Sequence, residues 1–302
     1  MSGIDPVHTA NARIAKSLYL DSQSRREAAA DWLFAVRDAR RDVAATLRAS
    51  NFLADISGAL VESGRHALIF RQMLAPPLSQ DQFKLLCPSY AKSTENNGSP
   101  FKPAIASGIA DFVFARLDLG IAGWASRKER PNRRELETCL RVVSTLIGLQ
   151  RLSTARRNRL ALEQESALTR RLLANHWTRL PSRLIDTRAA VPARHFMHKT
   201  RFATATTTPQ EVDIACGLGN TYVLAMECKV TNDETNSVKR VNDVIKKAEA
   251  WKTHWGSFVK TAALLQGVIA PKDVQRLTDR DILVFWSHDL DQFDDWLGRQ
   301  VP

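Results

Sequence analysis

The chain has 302 residues, 44% apolar and 25% charged, with 13 Gly, 12 Pro and only four Cys. That composition excludes disorder, a collagen-like repeat and a disulfide scaffold, and no apolar run reaches the roughly 20 residues of a bilayer span. Basic residues outnumber acidic ones by 43 to 32, a net charge of +11.

The excess is local. Arg127 to Arg201 holds 18 Lys plus Arg against 6 Asp plus Glu, so this stretch alone carries +12. Most of these residues are arginines, whose fork geometry suits phosphates and guanine edges, which favours a polyanion partner, nucleic acid ahead of small acidic metabolites. Solvated helix faces are the plain alternative. The opening MSGIDPVHTANARIAKSLYLDS has no basic segment followed by a long apolar core, so a cytoplasmic protein with reduced thiols is expected. Cys87, Cys139, Cys216 and Cys228 form no CxxC pair, which argues against a zinc site.

In chain order, Arg25 to Ser50 reads as an amphipathic helix with Trp32, Val36, Val43 and Leu47 at helical spacing. A second apolar stretch, Phe52 to Leu74, stops at Ala75-Pro76-Pro77. Pro88 to Pro103 is rich in Pro, Ser and Asn and predicts a loop. After a helix through Ala110 and Phe114, Asn132 and Glu135 form a capping-box pair that starts another, continuing through Leu140, Val143 and Ile147. Residues 1–150 are therefore read as a mostly helical region, and 151–302 as a separate domain.

After Val191 the pattern becomes strand-like. Phe202 to Thr208, Glu211 to Cys216 and Tyr222 to Val230 predict three strands, with Gly217-Leu218-Gly219-Asn220 as the hairpin turn between the last two. A helix over Ser237 to Trp255, strands over Thr261 to Ile269 and Asp281 to Trp286, and a helix over Leu290 to Leu297 complete an α/β fold with helices against a sheet.

The chemistry is concentrated at Glu227-Cys228-Lys229, the chain's single acid-x-Lys triplet, at the end of an apolar strand. Strand alternation puts Glu227 and Lys229 on one face and Cys228 on the other. A hairpin centred on Asn220 sets Asp213 opposite Glu227, on the same side of the sheet. Two carboxylates and an ammonium so close are costly to bury unless they hold a cation or do chemistry. Hard oxygen ligands suit Mg²⁺ shared with water and a phosphate, and Lys229 can orient or deprotonate a water, which together describe phosphodiester hydrolysis. A salt-bridged strand end is the plain alternative.

The order Asp213, hairpin, Glu227-Cys228-Lys229, helix resembles the PD-(D/E)xK nuclease superfamily. The stretch Glu211 to Trp251 resembles a type II restriction endonuclease, of the group typified by XamI. The resemblance covers mainly Glu165 to Trp286, and Val212 stands where the motif's name has proline. It implies a restriction-endonuclease-like core, a central mixed sheet flanked by helices, with Asp213 and Glu227 binding Mg²⁺ and Lys229 assisting the water. It also implies double-stranded DNA as substrate, a homodimer matching a palindromic site, and a cognate DNA methyltransferase protecting the host. The helical region would then serve DNA binding or dimerisation.

The family often adds an acid from the helix before the sheet. Glu165, on one face with Ala161, Leu168 and Leu172, is the candidate for this supplementary metal position. Beyond the lysine, Asn236, Ser237, Lys239 and Arg240 are candidate DNA contacts, with helix capping the alternative for Asn236 and Ser237. The Lys92 to Asn97 segment is a weaker DNA candidate. His195 and His198 lack a third ligand at metal spacing. A repair or recombination nuclease, and a non-catalytic DNA-binding protein on the same fold, are the competing functional readings.

Overall fold

The computed structural model describes residues 5–22, 25–206 and 208–301. Its contacts divide the chain into a sheet unit, Met1–Ser24 with Arg156–Pro302, and a helical unit, Arg25–Ala155. The division at 150/151 drawn from the sequence differs in giving the first helix to the helical region.

That helix, α1 (Pro6–Asp21), carries Pro6 in its first turn and is capped by Asp5, whose carboxylate accepts the Val7 N–H at 2.8 Å. Its buried face is Asn11, Ala12 and Ala15, too small and too polar to register as an apolar stripe in sequence.

The helical unit contains α2 (Arg25–Ala49), α3 (Ile56–Glu62), α4 (His66–Gln72), α5 (Gln80–Leu86), α6 (Lys92–Asn97), α7 (Pro103–Phe114), α8 (Leu119–Arg127) and the part of α9 (Arg133–Ala174) up to Ala155. Asn132 and Glu135 make the expected capping box at the start of α9: Asn132 Oδ1 accepts the Glu135 N–H at 3.0 Å and Glu135 Oε2 accepts the Asn132 N–H at 2.9 Å. The Pro88 to Pro103 segment departs from the loop expected of it by forming α6. The cause is Glu95, which is buried and accepts hydrogen bonds from the Arg71 guanidinium at 3.2–3.3 Å, from Gln80 at 3.0 Å and from the Tyr90 hydroxyl at 2.5 Å. Arg71 itself is 2% exposed, and a buried ion pair is tolerable only with its remaining hydrogen bonds filled; its Nη1 donates to the Leu78 carbonyl at 2.8 Å.

In the sheet unit, α9 continues from Arg156 and is followed by β1 (Thr178–Arg179), β2 (Leu184–Ile185), β3 (His195–Phe202), β4 (Gln210–Gly217), β5 (Val223–Thr231), α10 (Glu234–Trp255), β6 (Val259–Gly267), α11 (Pro271–Thr278), β7 (Ile282–Trp286) and α12 (Asp291–Gly298). The strands form one mixed sheet in the order β1-β3-β4-β5-β6-β7, with β2 also pairing to β3. The pairs β3/β4 and β4/β5 are antiparallel, while β5/β6 and β6/β7 are parallel. The α/β sheet flanked by helices expected from the sequence is therefore present.

Leu224, Met226 and Cys228 of β5 pack with Leu168 and Leu172 of α9 and with Phe293 and Leu297 of α12. Val223 and Ala225, on the opposite face of the same strand, pack with Trp251 and Trp255 of α10. The predicted strand Phe202 to Thr208 lies mostly beyond β3, which runs from His195 to Phe202; Thr207 lies outside the described residues. Thr204, Thr206 and Thr208 are instead hydrogen-bonded to one another, Thr204 Oγ1 donating to the Thr208 carbonyl at 3.0 Å.

The β4–β5 turn differs in its chemistry from the glycine turn expected. Asn220 and Thr221 take the left-handed backbone at φ 56° and 64°. Gly217 instead permits a close approach: a Cβ there would lie 2.0 Å from the Pro192 carbonyl oxygen.

Candidate functional site

The site forms where the β4–β5 hairpin opens. The strands pair in the register Gly217↔Val223, Cys216↔Leu224, Ala215↔Ala225 and Ile214↔Met226, the register centred on residue 220 that the sequence implied. Continued by one position the register would set Asp213 opposite Glu227, but the ladder stops at Ile214 and Met226. There Asp213 inserts its side chain, and Oδ2 accepts the Cys228 N–H at 2.8 Å. The carboxylate thus takes the place of a backbone carbonyl, and the two strands part around it.

Glu227 is fully buried and held by two lysines. Lys229 Nζ donates to Oε2 at 2.6 Å, and Lys247 Nζ, from α10, reaches both oxygens at 2.9 Å. Burial pushes the Glu227 carboxyl above its ordinary value, with Asp213 adding to the rise and the two lysines opposing it. Burial also pushes Asp213 up, but Lys229, the Cys228 N–H and Lys199 outweigh it and hold this carboxyl low. Burial disfavours the Lys229 ammonium, and Glu227 and Asp213 more than restore it, so its pKa is raised and the group carries its charge. Cys228 points into the α9-side core, where burial pushes the thiol well up; it packs and does not attack.

Glu165 is buried, on the α9 face that includes Leu168 and Leu172. It does not meet Glu227 directly. Its Oε2 faces His198 Nε2 at 2.8 Å, and its Oε1 accepts from Lys199 Nζ at 2.6 Å, while the same ammonium reaches Asp213 Oδ1 at 3.0 Å. Lys199 therefore links Glu165 to Asp213. Burial lowers its pKa, but Glu165 and Asp213 raise it further.

Lys199 also marks a change of face. Phe196 and Ile214 belong to the α9-side core, whereas Phe202 and Val212, the same parity along their strands, join the α10-side core. Between them β3 turns at Lys199, whose φ of 54° is left-handed. Strict period-2 alternation fails there, and so sequence reasoning missed Lys199 and His198; Lys247, on α10, was missed because only packing brings it to Glu227. His198 was set aside for want of a third metal ligand; its partner is a carboxylate.

The predicted DNA contacts divide. Asn236, Lys239 and Arg240 lie on the first turns of α10, Asn236 and Lys239 exposed and Arg240 half-buried. Ser237 does not reach the surface: it is fully buried, and its hydroxyl donates to Asp273 Oδ2 at 2.8 Å. Neither Asn236 nor Ser237 caps the helix through its side chain. Asp233 does, accepting the Asn236 N–H at 2.8 Å.

No set of three His, Cys, Asp or Glu side chains arranged around a metal occurs among the described residues. Mg²⁺ needs only one or two protein carboxylates, with water and phosphate oxygens completing its octahedron. Asp213 and Glu227 offer hard oxygens of that kind around the shared Lys229 ammonium, so the pocket already holds positive charge between them. The donor set fits Mg²⁺. Among the described residues no helix is long and apolar enough to cross a membrane.

Comparison with known proteins places the chain. The family model described as XamI restriction endonuclease matches residues 51–286. The type II restriction enzyme XamI of Xanthomonas campestris pv. amaranthicola is 29% identical over 192 residues, which is 62% of this chain and 66% of that enzyme, just under two thirds of its length. Among solved structures, protein VC1899 from Vibrio cholerae aligns over 82% of this chain and 62% of its own at 9% identity, with a TM-score of 0.32, too low to compare folds. Since the family match extends from the helical unit through β4 and β5 to the end of β7, the chain belongs to the XamI restriction endonuclease family.

Proposed function

We propose that this protein is a type II restriction endonuclease that hydrolyses double-stranded DNA at a short palindromic site, with Mg²⁺ as cofactor. The observation that supports it most is the opened hairpin: Asp213 on the Cys228 N–H just past the last strand pair, next to Glu227, with Lys229 at 2.6 Å from Glu227, in a chain of this family. Asp213 and Glu227 would hold the ion, with Glu165 supplementary. When bound, the ion polarises the scissile phosphate and makes a water nucleophilic at neutral pH.

The chain's own groups do the rest. Lys229, as an ammonium, donates to the attacking water or to a phosphate oxygen and offsets charge developing in the transition state. The Cys228 N–H fixes the Asp213 carboxylate, and Lys247 fixes that of Glu227, so neither has to be reoriented during the reaction. Asn236, Lys239 and Arg240 leave this edge on α10 and are assigned to DNA contact, with phosphate contacts setting the register of the duplex. The helical unit is assigned DNA binding or dimerisation. A two-fold homodimer in the cytoplasm, paired with a methyltransferase that protects the host's sites, completes the reading.

The test is digestion of unmethylated phage-sized DNA by the full chain with Mg²⁺, with EDTA, and by Glu227→Ala, read on a gel. Discrete fragments that need Mg²⁺ and vanish in the variant are expected. Intact linear DNA with cleavage of branched substrates would move the assignment to repair or recombination. DNA that shifts in a binding assay but stays uncut under all conditions would leave only a binding protein.

A further inference from the structure

Three ammonium groups meet three carboxylates at this site, although the acid-x-Lys motif supplies a single lysine. Lys229 and Lys247 are both committed to Glu227, with side chains only 14% and 23% exposed. Lys199 differs. Its side chain is 56% exposed, yet its ammonium holds Glu165 Oε1 at 2.6 Å and Asp213 Oδ1 at 3.0 Å. It stands on the left-handed turn of β3, between the pairs His198↔Ile214 and Thr200↔Val212. A lysine seldom takes that backbone unless the surroundings require it, and such residues gather at functional sites.

The oxygens that Lys199 occupies include one of the oxygens a divalent cation at Asp213 needs. A carboxylate oxygen cannot serve both at full strength, and a doubly charged ion beside the ammonium repels it. Neither carboxylate would be stranded by its departure. Asp213 keeps the Cys228 N–H on Oδ2, and Glu165 keeps His198, which Arg179 in turn contacts through Nδ1 at 3.3 Å. The released ammonium is on a flexible four-carbon stem at the surface, two residues along β3 from Arg201 and one from His198, which Arg179 contacts, and both arginines are exposed. There the matching anion is a backbone phosphate.

We propose, resting on the nuclease reading above, that Lys199 is an exchange residue: it neutralises Asp213 and Glu165 until a divalent cation takes Asp213, and then turns to a DNA phosphate. Cation and DNA binding thereby reinforce each other, since each removes the competitor of the other. Lys199 acts here as a positioning residue through Asp213, and as a phosphate contact only after release.

The test uses the full chain and avoids cleavage as a readout. Mg²⁺ is titrated calorimetrically into wild type, Lys199→Met and Lys199→Arg without DNA. Binding of a labelled phage-DNA fragment is then measured across a salt series, with EDTA and with Ca²⁺. Lys199→Met should bind Mg²⁺ roughly tenfold more tightly than wild type. Its DNA affinity should rise less with Ca²⁺ than that of wild type, the direct bridge from ion to phosphate alone remaining, and in Ca²⁺ its salt slope should be smaller by about one. Lys199→Arg should stay near wild type in all three. In wild type itself, acylation of the Lys199 amine, followed by mass spectrometry, should speed up several-fold when Mg²⁺ replaces EDTA. Equal or weaker Mg²⁺ binding by Lys199→Met, or acylation indifferent to Mg²⁺, overturns the proposal. Exchange observed in a protein that cuts no DNA would instead overturn the nuclease reading and leave the exchange standing.

Discussion

Replacing Ser237 by Ala separates a structural role from a DNA-contacting one. Ser237 and Asp273 are 0% and 1% exposed, and the hydroxyl donates to Asp273 Oδ2 at 2.8 Å while Arg276 Nη1 donates to Oδ1 at 3.2 Å. Alanine removes the donor on one oxygen and offers no replacement, with no room for a water assumed. A hydrogen bond to a charged group contributes about 1.5–3 kcal/mol. If α10 opens as a cooperative segment, its slowest amides should exchange roughly ten- to hundredfold faster in Ser237→Ala, at about 1.4 kcal/mol per decade. Native-state hydrogen exchange on the full chain, resolved by mass spectrometry, reads this directly. DNA affinity at fixed salt should be unchanged, because a fully buried hydroxyl makes no contact with DNA. Unaltered exchange together with weaker DNA binding would refute the reasoning and put Ser237 back on the DNA.

Two other outcomes follow from the site and its turn. Asp213 titrates below the ordinary 3.8 because Lys229, the Cys228 N–H and Lys199 outweigh burial, so its ionisation stabilises the fold fully above 3.8 and ceases to do so as pH falls through the lower folded value. In EDTA, the stability difference between wild type and Asp213→Asn, followed by denaturant titration, should therefore be constant near neutrality and shrink only in strong acid; a difference that shrinks between pH 7 and 5 would contradict this. Thr221, exposed and β-branched at φ 64°, pays for a left-handed backbone that glycine adopts freely, so Thr221→Gly should raise the denaturant midpoint by an amount worth up to ~1 kcal/mol. A lowered midpoint would show that the Thr221 side chain supports the turn.

What the sequence revealed and what it hid have physical causes. The hairpin register centred on residue 220 was legible because a tight hairpin between two alternating strands leaves little freedom of pairing, and a slip of one residue would expose Ile214 and Met226. The capping box of α9 was legible because it depends on residues three apart. Lys247 was not, since it reaches Glu227 only through the way α10 lies on the sheet. Lys199 and His198 were hidden by the face change in β3, where neither a 2.0 nor a 3.6 period holds. Strand β3 was itself displaced in the reading, as Thr204 to Thr208 has the higher strand propensity while His195 to Phe202 earns its place by pairing with β1, β2 and β4. Ser237 shows the opposite error: a residue of capping type in a polar segment that tertiary packing buries.

The placement of α1 bears on how the chain is made. Ala12 and Ala15 pack with Leu265, Ile269, Val284 and Trp286, and His8 accepts a hydrogen bond from Trp286 Nε1 across a separation of 278 residues. A ribosome adding about 5–20 residues per second needs on the order of 15–55 s to cover that distance. During that interval the helical unit, contiguous from Arg25 to Ala155, has all the residues of its own core, while α1 has no sheet to bind. The sheet unit, and with it the hairpin that carries Asp213 and Glu227, is complete only once α1 and the strands through β7 have all been made. The helical unit can thus fold on the residues of one contiguous stretch, while the sheet unit waits for a pairing between its first helix and strands made some 250–275 residues later.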